Sequence, residues 1–134
     1  MRFNILRFLV ASILAGVVAD FIHTHVGIGV PTYNSFIETM SYLTKSEEAL
    51  GVAIIYYFLG DRLPTHSRLI KGIILGVILL LSQGQLIRQL FMNLLLPNTL
   101  REALLFQSQV WLSKFAEAII IALLIQSKYS FYKQ

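Results

Sequence analysis

Long apolar runs separated by polar or proline-bearing turns divide the chain. Phe8 to Ala19 is apolar apart from Ser12 and Gly16, and apolar residues resume at Phe21, Ile22 and Val26. This predicts a first helix over about residues 5–28, ended by Gly27, Gly29 and Pro31. Residues 31–45 change character. Phe36, Ile37, Met40 and Leu43 recur at helical spacing, with Asn34, Glu38 and Ser41 between them and Tyr33 and Tyr42 nearby. They predict a short helix lying in a membrane surface, with a structured loop as the alternative. Thr44-Lys45-Ser46-Glu47 has the form of a capping box, so a second long helix is expected over about residues 46–63. Its apolar part, Ala49 to Gly60, is short against about 30 Å of hydrocarbon. Its neighbours therefore tilt, or its Glu47/Glu48 end sits in a dip open to water.

The polar turn Asp61 to Arg68 precedes a third apolar stretch. A helix over about residues 69–96 is expected there, overshooting a bilayer or bending near Gly84. Pro97-Asn98 stops it. Asn98 or Thr99 can cap a fourth helix over about residues 100–127. The tail Lys128 to Lys133 is basic and aromatic, which suits an interfacial anchor. The pattern as a whole predicts an all-α fold: one transmembrane domain over residues 1–134, a four-transmembrane-helix bundle with a short interfacial helix between helices 1 and 2. Arg2 and Arg7 ahead of the first run, with Val17-Val18-Ala19 behind it, also fit a signal peptide. The apolar residues that follow favour a spanning helix.

Composition strengthens the membrane reading. The chain is 56% hydrophobic and 13% charged over 134 residues, and its mean hydropathy is +0.69. A soluble domain carries roughly a quarter charged residues, so an ordinary soluble enzyme and a disordered chain are both excluded. The net charge of +4 does not indicate nucleic acid, because the basic residues are spread thinly along the chain. They follow the positive-inside bias instead. Arg2, Arg7, Arg62, Arg68, Lys71, Lys128 and Lys133 fall on one side; Lys45 and Arg101 fall on the other, with Arg88 near them. Both termini are therefore expected in the cytoplasm, with a bacterial inner membrane as the expected location. There is no cysteine, which removes disulfides and thiolate chemistry. No phosphate-binding glycine loop, HExxH or GxSxG pattern occurs, and no cofactor is implied.

The informative residues are the polar ones inside the apolar runs. They are Asp20, His23 and Thr24; Ser82, Gln83, Gln85, Arg88 and Gln89; and Gln107, Gln109, Ser113, Lys114 and Glu117. A charge at a bilayer centre costs about 3 kcal/mol or more, so these groups should face one another. At about 1.5 Å per residue, Asp20, Gln83 and Lys114 fall at similar depths of about 18–20 Å from the inner face. His23 and Arg88 fall nearer the outside. Faces agree with depths. Ser12, Gly16, Asp20, His23 and Gly27 share one stripe, and Ala103, Gln107, Val110, Lys114, Glu117 and Ile121 share another. Lys114 and Glu117, three apart, can pair within their helix. Gly72 and Gly76 permit a close helix approach.

The expected site is therefore Asp20, Lys114, Glu117 and Gln83, with His23 and Arg88 above them and Gln85 and Gln107 nearby. Two readings compete. In one, these groups form a binding site or pathway for an ion, a proton or a small polar solute, in a transporter or channel. Four such helices enclose little volume, so this version works as a homo-oligomer. In the other, they are satisfied ion pairs that hold together an accessory or structural subunit with a membrane partner. A third, a metal-dependent enzyme at the outer interface, would use His23, His25 and Glu47. Residues two apart point about 200° apart on a helix, so both histidines could ligate one ion only where the helix has ended.

The architecture resembles that of small four-helix bacterial membrane families such as the small multidrug exporters and fluoride channels. The likeness is one of helix number and topology. Helix one carries Asp20 rather than the embedded glutamate of the exporters, so it implies no site residues.

Overall fold

Five helices account for most of residues 4–25 and 35–128, which are the residues that the computed structural model describes. They are α1 (Ile5–His25), α2 (Ser35–Leu59), α3 (Arg68–Ser82), α4 (Arg88–Leu94) and α5 (Leu100–Leu124), with a 3-10 turn at Gly60–Arg62. No strand occurs among the described residues, so the fold is all-α. The expected end of helix one beyond residue 25, the start of the interfacial segment and the aromatic tail fall outside these residues.

The second helix departs from expectation. Residues 35–45 do not form a separate interfacial helix; α2 runs unbroken for 25 residues through the supposed capping box. No glycine or proline lies between Ser35 and Gly51 to stop it. The Thr44 hydroxyl donates to the Met40 carbonyl at 2.8 Å, one turn back, as a residue inside a helix does. The shift in composition near residue 46 marks a change in what the helix faces and leaves its backbone regular. Toward its other end α2 stops at Leu59, short of the expected 63.

The third helix departs as well. The stretch expected over 69–96 is two helices with a break at residues 83–87. Gly84 has φ +64°, a left-handed conformation that glycine takes without strain. α3 has 15 residues, about 22 Å of helix. α5 begins where the sequence indicates. Thr99 accepts from the Glu102 N–H at 3.3 Å, and the Glu102 carboxylate accepts from the Thr99 N–H at 2.9 Å. This reciprocal pair is a true capping box.

α5 is the central element, packed against α1, α2, α3 and α4. Glycines set the closest approaches. A Cβ on Gly72 would lie 2.7 Å from the Ile119 Cα, and one on Gly76 would lie 2.5 Å from the Phe115 ring. The Gly72/Gly76 stripe thus seats α3 on α5. On the other side, a Cβ on Gly16 would lie 2.6 Å from the Ser46 Cα, so α1 and α2 touch backbone to backbone there.

The apolar core lies toward the end formed by the start of α1 and the finish of α5. It joins Phe8, Ala11 and Ala15 to Ala49, Val52, Ala53 and Tyr56, to Leu75 and Leu79, and to Ala118, Ile121, Ala122 and Ile125. The C-terminal carbonyls of α5 at this end have no partner within the helix. Arg7 Nε donates to the Leu124 carbonyl at 2.8 Å, and Arg68 Nη1 to the Leu123 carbonyl at 3.3 Å. Both cations also oppose the negative end of the helix dipole. Nearby, Lys71 lies 3.7 Å from Asp61, whose carboxylate accepts from the Ser127 hydroxyl.

Large apolar side chains also face outward, and several polar ones face inward. On α1, Ile5, Leu6, Leu9, Val10, Ile13, Leu14, Val17 and Phe21 are 38–68% exposed. The buried face of the same helix is Phe8, Ala11, Ser12, Ala15, Gly16, Ala19 and Asp20. On α5, Gln107, Gln109, Ser113, Lys114 and Glu117 are buried while Leu100, Leu104 and Leu112 are exposed. Among the described residues one helix, α1, is long and apolar enough to cross a membrane.

Candidate functional site

The buried charges gather above the apolar core, where α1, α2, the end of α3 and the middle of α5 meet. Ser113 fixes the level of α5 against α1 by donating its hydroxyl to the Ala19 carbonyl at 2.9 Å. The next residue on each helix, Lys114 and Asp20, is buried at 3% and 2% exposure. Asp20 accepts from the Ser41 hydroxyl of α2 at 2.7 Å. Lys114 pairs with Glu48 of α2. Glu48 is shared: Lys45 lies 3.1 Å from its other oxygen, and Gln83 Nε2, at the end of α3, reaches it at 3.5 Å. His23, half-buried one turn above Asp20, lies within electrostatic range of Asp20, Lys45 and Lys114.

Glu117 is the exception. It is fully buried, and neither carboxylate oxygen has a hydrogen-bond partner among the described residues. The intrahelical pair expected between Lys114 and Glu117 does not form, because the Lys114 ammonium is taken by Glu48. Below Glu117 the interior is closed by Ala118, Ile121 and Ala122. Toward α2 and α3 it is less closed. The Lys45 and Glu48 side chains are 21% and 26% exposed, and Gln83 is exposed. The site is thus a charged recess, open at one rim and floored by packed apolar residues.

Of the residues the sequence nominates, the recess brings together Asp20, His23, Gln83, Lys114 and Glu117. Gln85 and Gln107 belong elsewhere. Gln107 Nε2 donates to the Gln85 carbonyl, and its Oε1 accepts from the Leu90 N–H, both at 3.0 Å. Trp111 is 38% exposed and donates its Nε1–H to the Leu86 carbonyl at 2.8 Å. These α5 side chains satisfy the irregular backbone between α3 and α4. Arg88 is exposed at the start of α4 and forms none of the ion pairs among the described residues.

Three members were not placed with these charges by the sequence reading: Ser41, Lys45 and Glu48, the last expected only at a water-open end of helix two. Their spacing of four and three puts them on one helix face. The signal was present, but the supposed helix start at 46 divided it. Glu47, nominated as a metal ligand, is exposed on α2. His25 stacks on Phe21 at 4.5 Å, with its Nδ1 2.6 Å from the Thr24 hydroxyl. Among the described residues no group of three or more His, Asp or Glu is placed to hold a metal ion. Tyr56 is buried with its hydroxyl 3.5 Å from the Ala122 carbonyl.

Comparison with protein-family models, with curated proteins and with solved structures gives no match. The functional reading therefore stands on the recess alone.

Proposed function

We propose that the protein is an integral membrane transporter or channel for an ion, a proton or a small polar solute, working as an oligomer through the recess of Asp20, Lys45, Glu48, Lys114 and Glu117. In this reading α1, α2, α3 with α4, and α5 make four spans. The exposed apolar surface supports the bilayer, since large apolar side chains face outward on every helix. The gathering of Arg7, Arg68 and Lys71 around the end of α5 supports a cytoplasmic placement of both termini. A bacterial inner membrane suits the short loops.

One observation favours a working site over a set of structural pairs. Glu117 is completely buried and unpartnered. A network kept only for cohesion would satisfy that carboxylate, because a half-satisfied polar network is worse than an apolar core. The direct Lys114–Glu48 and Asp20–Ser41 contacts favour the second reading, an accessory subunit whose charges hold helices together with a membrane partner. Flux separates the two. Purified protein in proteoliposomes should dissipate an imposed proton or salt gradient. Glu117→Gln should slow it at least about tenfold, equivalent to roughly 1.4 kcal/mol of barrier. Wild-type vesicles no leakier than empty ones to every gradient tried would support the accessory reading instead.

A further inference from the structure

We propose that Glu117 binds a single proton and that Lys114 changes partner with it: Lys114 pairs with Glu48 when Glu117 carries the proton, and with Glu117 when it does not. The proposal deepens the transport reading and rests on it, by naming the proton as the ion the recess handles.

The geometry shows one state and the spacing that permits the other. Lys114 is held by Glu48 in the structure, and Glu117 sits three residues along the same helix face. That spacing lets one lysine reach either carboxylate by rotating its four-carbon stem. Glu48 can release Lys114 without being orphaned, since Lys45 at 3.1 Å and Gln83 at 3.5 Å remain on it. Glu117 has no such reserve. Around the recess, α1 contributes Asp20 and His23, and α2 contributes Lys45 and Glu48. Asp20 is taken by Ser41 and Lys45 by Glu48. Lys114 is therefore the cation left to answer a charge on Glu117. An ionised carboxylate there is costly unless a cation comes to it.

The proton balance is simple. A proton arriving from water at the Lys45–Glu48–Gln83 rim forms an O–H bond on one Glu117 oxygen. Lys114 remains an ammonium throughout. On release the O–H bond breaks, the proton returns to water, and the ammonium moves to the carboxylate. Each cycle thus makes and breaks the Lys114 link between α5 and α2, so proton occupancy is tied to how firmly those helices are joined above Gly16.

Infrared difference spectra of the full chain in lipid nanodiscs, recorded across pH, test this. The carbonyl stretch of a protonated buried carboxyl should be present at acid pH and vanish on alkalinisation. Glu117→Gln should abolish that band, and the milder Glu117→Asp should move it. In Glu48→Gln, Lys114 loses its alternative partner and stays with Glu117. The band should then vanish at about tenfold higher proton concentration than in wild type, one pH unit more acid. No band assignable to Glu117 at any pH would overturn the proposal. So would a band whose midpoint is the same in wild type and Glu48→Gln. The measurement needs no transported solute, so proton binding can fail while flux survives, and the reverse.

Discussion

At the end where α1 begins and α5 finishes, the helices meet through Ala11, Ala15, Ala49, Ala53, Ala118 and Ala122, with Ile121 and Tyr56 filling the gaps. Half a helix further on, the same helices meet through Asp20, Ser41, Lys45, Glu48, Lys114 and Glu117. The first region is held by shape. Small side chains bring backbones together, the packing has one solution, and protonation does not alter it. The second is held by charge and has one carboxylate more than its pairs accommodate. In the proposed switch it takes two arrangements, whereas a packed core has one. A rigid half under a switching half would let the proposed transporter move one part without losing the other.

The comparison can be broken at either end. Lys114→Met should have the largest effect, about 3 kcal/mol in chemical unfolding in mild detergent, because it leaves the fully buried Glu117 without a cation to answer its charge. The double variant Lys114→Met, Glu117→Gln should recover at least half of that loss; no recovery would show that Glu117 carries no uncompensated charge. In the shape-held contact, Gly16→Ala pushes a methyl to within 2.6 Å of the Ser46 Cα. A cost of about 2 kcal/mol is expected from the overpacking, the same at every pH. Gln107→Leu removes a donor and an acceptor from the α3–α4 break, for about 1–2 kcal/mol. Hydrogen exchange should quicken over residues 85–90 and stay unchanged in α1. The smallest effect is Thr99→Ala, about 1 kcal/mol from losing the capping box, read as fraying of the first turn of α5.

Some of this was legible in the sequence because local pattern and tertiary role coincide. The α5 stripe from Ala103 to Ile121 is buried at every predicted position, and Thr99 caps where it should. Gly72 and Gly76 do permit a close approach, onto Ile119 and Phe115. Glu48 was lost for a specific reason. Thr44-Lys45-Ser46-Glu47 satisfies the local rule for a helix start, but the hydroxyl it offers is used one turn back, at Met40. Glu47 and Glu48 then look alike on paper, although a 100° step on a continuous helix leaves one exposed and half-buries the other in the recess. The partner change at Lys114 was equally hidden. Spacing alone favours the neighbour on its own helix, and only the arrival of α2 supplies a competitor.

The break between α3 and α4 sets a timetable. Its carbonyls at Gln85 and Leu86 and its N–H at Leu90 are answered by Gln107 and Trp111. Those two side chains lie in α5, which is synthesised after the break. Until α5 emerges, the turn between α3 and α4 has backbone groups that nothing already made can satisfy. The third segment therefore settles only once α5 has been made as far as Trp111, and truncation ahead of Gln107 should release the turn between α3 and α4 as well.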